Sequence, residues 1–540
     1  MKFIVKCGKN IIPLKRLIEN GERKRELGNY ILELAVTNIN GKNFKILGDK
    51  CSDIEIKYIF MYGEVTNTSE IKCFFNNSCD LSILYYSDVY KEIYYDIIDV
   101  KKTDRSFTNF NFKLYEDMMD PRFLTLNDKI NKMVENKFQY KELNTNDDFS
   151  FPLCEQTYDH REVNAMINVL LGDKLTMGSN VREFETQFAS YIGSKYAVMV
   201  NSGSSANLLA MAVLSNFKYE KKLSKGDKVL VPAVCWSTSV WPIIQMGLVP
   251  MFVDINIKTL NADIDLIEQL IQNDDKIKGM VVVHILGNST NMKRLMEFKK
   301  KYDLILMEDT CESLGSKYNG QFLGTFGECG TYSFYFSHHI TTIEGGMVVT
   351  NDFKIYELLK CLRAHGWSRE LMDYKSNELD NRFCFVNVGY NLRPMEIQGA
   401  MGKIQLEKLE EFNKNRLENY TLIIKKIKEA KSDILTTFEN ETLCEPAWFS
   451  LPLILNKKYD KEEYMKYLES NNIDTRPIVT GNFTRQPVFK HLNYNIDPSS
   501  FKMSEIIHEF GFFIGIPSKK IPIETIDKLV NILINYKKNT

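Results

Sequence analysis

No run of about 18 apolar residues occurs in this chain, so no membrane-spanning helix is expected. No Cys-x-x-Cys or Cys-x-Cys pair occurs among its eleven cysteines. They are scattered and odd in number, which argues against a disulfide framework and for a reducing, cytoplasmic setting. Neither sign of charge prevails. The formal net charge is −1, so neither nucleic acid nor an acidic membrane surface is expected as the main partner. Residues 1–7 become charged too quickly to read as a signal peptide. Internal repeats and low-complexity tracts are missing as well. What remains is an ordinary globular composition, 44% hydrophobic and 26% charged over 540 residues. That length predicts two or three domains.

Residues 1–143 differ from the rest. Short aromatic and β-branched runs at 30–37, 54–62, 71–75, 81–86, 93–100 and 107–114 are punctuated by Asn, Gly, Asp and Ser. This spacing predicts an antiparallel β-rich domain, followed by a helix over 123–137. The polar residues 144–148 break both periods and mark a linker. Nothing in this first part gathers catalytic residue types, and its role stays open.

From about residue 150, helices and buried strands alternate. Ser179 is expected to cap a helix with an apolar face of Val181, Phe184, Phe188, Tyr191 and Ile192. Strands are expected at 196–200, 228–234, 250–253, 280–286, 304–307, 331–336 and 347–350. Near-continuous apolar runs between helices predict an α/β fold with a mainly parallel sheet covered on both faces. Residues 150–394 would form this large domain. Residues 395–540 would supply a long helix to about 431, with Ile397, Met401, Ile404, Leu409 and Phe412 on one stripe. A small α/β domain would follow, with strands near 448–455 and 512–516.

Ligands of such sheets bind past the carboxyl ends of the strands. Polar residues gather there: Cys235, Trp236, Ser237 and Thr238 after Val234, His284 after Val283, Glu308 and Asp309 after Met307, and Ser337, His338 and His339 after Phe336. Residues 201–205 form a Gly/Ser turn between a strand and a helix, which aims N–H groups at an anion. Taken singly these features say little. Many such turns bind nothing, Asp309 alone reads as a helix cap, Trp236 as a core residue, and a His-His pair as a surface hairpin. Their order at successive strand ends argues for one site. A phosphate cup, a ring to stack on, an acid for a pyridine nitrogen and a base are what pyridoxal phosphate requires.

Five stretches carry a resemblance to a known family: 176–178 (Thr-Met-Gly), 201–207 (Asn-Ser-Gly-Ser-Ser-Ala-Asn), 308–315 (Glu-Asp-Thr-Cys-Glu-Ser-Leu-Gly), 333–346, and 389–393 (Gly-Tyr-Asn-Leu-Arg). Through them, residues from about 150 to 540 resemble the DegT/DnrJ/EryC1/StrS sugar aminotransferase and dehydratase family, of pyridoxal phosphate fold type I. The resemblance implies that Gly203 and Ser204 hold the cofactor phosphate and that Ser333 contacts it. It implies that Trp236 stacks on the ring, that Asp309 pairs with its nitrogen, and that Asn391 reaches a phosphate across a homodimer interface.

One position departs from the pattern. Most members carry a lysine, covalently linked to the cofactor, where His338 stands. Imidazole cannot form that link, but it can take and return a proton near neutral pH. The exchange resembles the 3-dehydratase branch of the family. That branch implies a nucleotide-linked 4-keto-6-deoxyhexose as substrate, pyridoxamine phosphate as cofactor and glutamate as amino donor. One type in the branch carries an iron–sulfur cluster on a Cys-x-Cys element. The lack of that element points to the type without a cluster, and no metal is expected. A related enzyme with a different elimination or amine transfer, and a non-catalytic binding protein on this fold, are the alternatives. Intact Ser204, Trp236, Asp309 and Ser333 argue against the second.

Four further residues are candidates for support. His339 either orients its neighbour or faces solvent, and His365 and Arg393 support the site. Glu344 fixes the turn. Cys311 reads as a small buried residue, and Arg476 either meets a phosphate or carboxylate or is simply solvated.

Overall fold

The computed structural model describes residues 149–537 except 372, 373, 375, 377, 493 and 495, the helix Leu126–Leu143, and the backbone of seven strands before residue 98. The chain divides into two compact units, residues 1–136 and 137–540.

In the first unit, five strands lie in the order Asn10–Pro13, Lys2–Cys7, Tyr58–Tyr62, Ser82–Ser87, Glu92–Ile97. Neighbours are antiparallel except Tyr58–Tyr62 with Ser82–Ser87, which are parallel. Ala35–Ile39 and Lys42–Lys45 form a separate antiparallel pair. The strands expected at 71–75 and 107–114, and the linker expected at 144–148, lie outside the described residues.

The second unit is built on a seven-stranded sheet. Its strands in chain order are β1 (Tyr196–Val200), β2 (Lys228–Pro232), β3 (Val249–Val253), β4 (Ile277–Val283), β5 (Ile305–Asp309), β6 (Cys329–Ser333) and β7 (Gly346–Thr350). Their order across the sheet is β3-β2-β4-β5-β6-β7-β1. From β3 to β6 all neighbours are parallel. β7 and β1 close the other edge in antiparallel pairing. The connection 334–345 carries no helix that could make a crossover, so β7 returns beside β6 antiparallel. The register brings Asp309 opposite Thr331, Ser333 opposite Gly346, and Gly346 opposite Val200. Four strand termini, Asp309, Ser333, Gly346 and Val200, thus meet at one end of the sheet.

Helices cover the sheet. The first, α1 (Ser179–Ile192), buries Val181, Phe184, Phe188 and Ile192 as its spacing requires and ends at Gly193, whose φ of 74° closes the last turn. Ser179 does not cap it. The cap position is Gly178, and the carboxylate of Glu396 accepts the N–H groups of Gly178 and Asn180 at 2.8 Å and of Val181 at 3.3 Å. An anion more than 200 residues away in sequence thus complements the helix N-terminus, which no local pattern can reveal.

Glu396 opens the long helix α4 (Glu396–Glu429). On its expected stripe Met401 and Leu409 are buried, while Ile397, Ile404 and Phe412 are half-buried. Its first turns also bury polar side chains, Gln398, Gln405, Lys408, Arg416 and Asn419 among them, and its last turns bury Tyr420, Ile423, Ile424 and Ile427. The helix leads to a small antiparallel sheet of Leu435–Thr437, Leu451–Leu455, Gly511–Ile514 and Thr475–Pro477, in that order. Trp448 stacks on Tyr420 of α4 at 4.3 Å within a core that includes Tyr464, Phe512 and Leu529.

Candidate active site

The anion cup comes first. Helix α2 (Gly203–Leu214) starts just past β1, and Ser202 caps it by accepting the Ser205 N–H at 3.1 Å. Helix α3 (Ser237–Gln245) starts past β2. The Ser204 and Thr238 hydroxyl oxygens lie 3.5 Å apart, so two helix N-termini stand side by side with their first N–H groups free of helical partners. Gly203 is required there. A Cβ at that position would fall 2.5 Å from the Ser333 Cβ and 2.8 Å from its Oγ. Ser333 itself ends β6, and its Oγ accepts the Tyr335 N–H at 3.3 Å.

Asp309 ends β5 and is 4% exposed. Its Oδ2 accepts from Asn207 Nδ2 and from Ser239 Oγ, each at 2.7 Å, and its Oδ1 accepts the Cys311 N–H at 3.2 Å. Asn207 is fixed in turn by the Thr331 hydroxyl, which donates to its Oδ1 at 2.6 Å. A buried carboxylate with three donors cannot rotate away. Trp236, the residue before α3, is 55% exposed, which leaves ring surface for stacking.

The neighbour of Asp309 takes no part. Successive strand residues face opposite sides of the sheet, so Glu308 points away. Its carboxylate accepts the N–H groups of Gly324, Phe326 and Gly327 and lies 3.3 Å from His284 Nε2. Glu308 and His284, both expected at the site, are a buried structural pair instead.

The two histidines also diverge. The strand expected over 331–336 ends at Ser333, and Tyr335 and Phe336 are exposed. Only Phe334 keeps its place in the core, against Phe184 and Phe188. His338 is half-buried, and its Nδ1 donates to the Cys311 carbonyl at 2.7 Å. That bond leaves Nε2 with a lone pair. Burial pushes its pKa below the ordinary value, with Arg416 adding to the effect and the Cys311 carbonyl and Asp309 opposing it. His339 neither orients His338 nor faces solvent. It is 1% exposed, its Nε2 donates to the Ala447 carbonyl at 2.9 Å, and burial pushes its pKa down to about 3.

The remaining candidates stand further back. Glu344 is exposed, and its backbone carbonyl, not its carboxylate, fixes the turn by accepting from Thr342 Oγ1 at 2.7 Å. His365 is exposed at a φ of 64°, and its N–H bonds the Tyr390 carbonyl. Asn391 is exposed and Arg393 half-buried, in a segment whose Leu392 carbonyl accepts the Asn201 N–H at 3.1 Å. Arg476 is exposed on the small sheet. Cys311 is half-buried, and burial with Asp309 nearby pushes its thiol pKa well up.

The sequence reading did not single out Asn207, Ser239 and Thr331, which orient Asp309, or Glu312. Burial pushes the Glu312 carboxyl up to about 7, Asp309 adds to this, and the Leu286 N–H, donated at 3.1 Å, opposes it. Glu312 lies three residues after Asp309, within 308–315, so its place was visible though its surroundings were not. Among the described residues no group of His, Cys, Asp or Glu is arranged to hold a metal ion, and no helix is long and apolar enough to cross a membrane.

Known proteins share this arrangement of strands and helices. A GDP-4-keto-6-deoxy-D-mannose 3-dehydratase of Yersinia pseudotuberculosis is 41% identical over 395 residues, spanning 71% of this chain and 98% of its own. A dTDP-4-dehydro-2,6-dideoxy-D-glucose 3-dehydratase of Saccharopolyspora spinosa is 34% identical over 370 residues, spanning 65% of this chain and 79% of its own. Among solved structures, E. coli GDP-4-keto-6-deoxy-D-mannose-3-dehydratase with bound hydrated PLP superposes with a TM-score of 0.67 at 39% identity, covering 72% of this chain and 100% of that one. A GDP-4-keto-6-deoxymannose-3-dehydratase with a trapped PLP-glutamate geminal diamine gives 0.67 at 40% identity, covering 71% and 100%. The fold after residue 150 is therefore the pyridoxal phosphate aminotransferase fold. Residues 156–533 match the family model, and the chain belongs to the DegT/DnrJ/EryC1/StrS aminotransferase family.

Proposed function

We propose that this chain removes the 3-hydroxyl group of a nucleotide-linked 4-keto-6-deoxyhexose, with pyridoxamine phosphate as cofactor and glutamate as amino donor. GDP-4-keto-6-deoxymannose is the first substrate to test, because relatives and solved neighbours carry it in their names. The observation that carries the reading is the imidazole of His338, tethered through Nδ1 to the Cys311 carbonyl with Nε2 left to accept a proton.

The residues present fit the cofactor. The paired starts of α2 and α3, with Ser204 and Thr238, suit a phosphate, and the missing Cβ of Gly203 leaves room beside Ser333. Asp309 is a fixed anion for a pyridinium N–H, and Trp236 offers a ring face. Bound there, the cofactor supplies an amine for the sugar ketone and a ring that delocalises the electrons released on deprotonation.

This chain's own residues then do three things. Asp309, held by Asn207, Ser239 and Cys311, keeps a negative charge at the ring nitrogen. His338 takes a proton at Nε2 and returns it to the departing hydroxyl. Because position 338 is not lysine, no covalent tether competes with the free amine. Asn391, exposed beside the start of α2, reaches the phosphate of a second copy in a homodimer. In net terms the sugar loses one oxygen, glutamate becomes 2-oxoglutarate, and ammonia is released.

Mass analysis of full-length protein with cofactor, glutamate and a panel of nucleotide 4-ketosugars tests this. The expected product is lighter by one oxygen atom, with equimolar 2-oxoglutarate and ammonia. An amino sugar without released ammonia would establish amine transfer instead, and no conversion of any 4-ketosugar would favour the non-catalytic alternative.

A further inference from the structure

His338 lies in a loop that the long helix α4 holds by its backbone. Gln405 accepts the Thr341 N–H through Oε1 at 3.0 Å, Gln398 donates to the Glu344 carbonyl, and Arg416 Nη1 donates to the His339 carbonyl at 3.3 Å. The loop needs such restraint. Ile343 within it has a φ of 69°, a conformation costly for a β-branched residue that persists only where its surroundings over-determine it. Neutral amides serve at two of the three grips. The third is a guanidinium only 6% exposed, and burying a cation costs far more than burying an amide. A carbonyl acceptor alone does not call for it.

The charges around His338 suggest what the cation does. Asp309 faces it from β5 across Cys311, Arg416 faces it from α4, and His339 adjoins it on its own loop. Glu155 faces Arg416 in turn. Phe449 packs edge-on against the imidazole at 5.1 Å.

We infer that Arg416 is a positioning residue for His338, fixing its loop through the His339 carbonyl and setting a positive charge beside the imidazole. The inference builds on the reading of His338 as the base. Burial is the largest effect that disfavours a proton on the ring, the Cys311 carbonyl and Asp309 work against it, and Arg416 adds to burial. Hydrogen bond and charge are separable. Gln at 416 retains a donor without charge, Lys retains the charge, and Met has neither.

The test is the pH profile of kcat for the full-length holoenzyme. Arg416→Gln should move the acid limb to higher pH while the plateau falls by less than about threefold, and Arg416→Met should also lower the plateau by about tenfold. Arg416→Lys should restore the wild-type limb. A Gln variant whose acid limb coincides with wild type overturns the proposal. Should the Gln and Met variants be insoluble, carbethoxylation of His338 at graded pH, followed by peptide mass, compares Arg416→Lys with wild type. Coinciding curves support a charge at 416 that acts on the ring, and a Lys curve displaced to higher pH overturns the inference. His338→Asn separates the two ideas. If it keeps turnover, the base reading fails. If it loses turnover while Arg416→Gln leaves the limb in place, only the role of Arg416 fails.

Discussion

His338 and Asp309 are joined through the peptide groups of one residue. The Cys311 carbonyl accepts from His338 Nδ1 at 2.7 Å, and the Cys311 N–H donates to Asp309 Oδ1 at 3.2 Å. The proposed base and the proposed partner of the pyridine nitrogen are therefore held in register by backbone. The Cys311 thiol is pushed well above its ordinary pKa by burial and by Asp309, so it is a poor nucleophile. Cys311→Ala should cost about 1 kcal/mol of stability and keep turnover within about threefold of wild type. Urea unfolding and steady-state rates check both. A loss as deep as that of His338→Asn would mean that the thiol itself reacts.

The two adjacent histidines should separate by assay. His338→Asn should retain the absorbance of bound cofactor and lose turnover by roughly 10²–10⁴-fold, the usual weight of a general acid–base group. His339→Asn should lower stability by about 1–2 kcal/mol by disturbing the bond to the Ala447 carbonyl, with a far smaller effect on rate. Acid stability gives a second readout. The imidazole of His339 has a pKa of about 3 in the fold and the ordinary 6.5 in the unfolded chain. Between those values the unfolded chain binds a proton that the native protein does not. Its contribution therefore destabilises the protein as pH falls below 6.5, by up to about 1.4 kcal/mol per pH unit, and adds no slope above. Unfolding midpoints at about pH 5 and about pH 7.5 should differ less in His339→Asn than in wild type. An unchanged difference would place the burden on other groups.

Much of this was legible in the sequence because the signals are local. Buried parallel strands show as apolar runs, so all seven sheet strands were found, and the Gly/Ser turn at 201–205 marks the start of α2. What was missed depends on direction or distance. Glu308 and Asp309 are adjacent, and only the pleat decides which one faces the site. The same holds for His338 and His339, where the chain leaves the sheet at Ser333 and turns one ring toward Cys311 and the other toward Ala447. Asn207, Ser239 and Thr331 converge on Asp309 from three elements. Glu396 and Arg416 act across more than 70 residues of sequence. Periodicity cannot report such contacts.

The first unit should be dispensable for the chemistry. The family match begins at residue 156, and the compact unit that contains every proposed site residue begins at 137. A chain beginning at residue 145 should fold, bind cofactor and dimerise. It loses the edge contact of Phe138 with Tyr158 at 6.3 Å, worth about 1 kcal/mol. Light scattering and cofactor absorbance check this. Aggregated or cofactor-free protein would show that residues before 145 complete the core or the site.

Cofactor attachment gives the sharpest test of position 338. With imidazole there, borohydride should leave the cofactor extractable from the denatured protein, because no carbon–nitrogen double bond to the chain exists to be reduced. His338→Lys should reverse this. A primary amine held at that place can condense with the cofactor aldehyde, so reduction should leave a phosphopyridoxyl group on Lys at 338, found by peptide mass. The same variant should lose removal of the 3-hydroxyl. A tethered lysine competes with the free amine, and it replaces a base that Cys311 holds in one tautomer. Absorbance should shift on cofactor binding in the variant and not in wild type. A reduced adduct on any native lysine of the unaltered protein would refute the alignment of His338 with the family's lysine, and with it the dehydration mechanism proposed here.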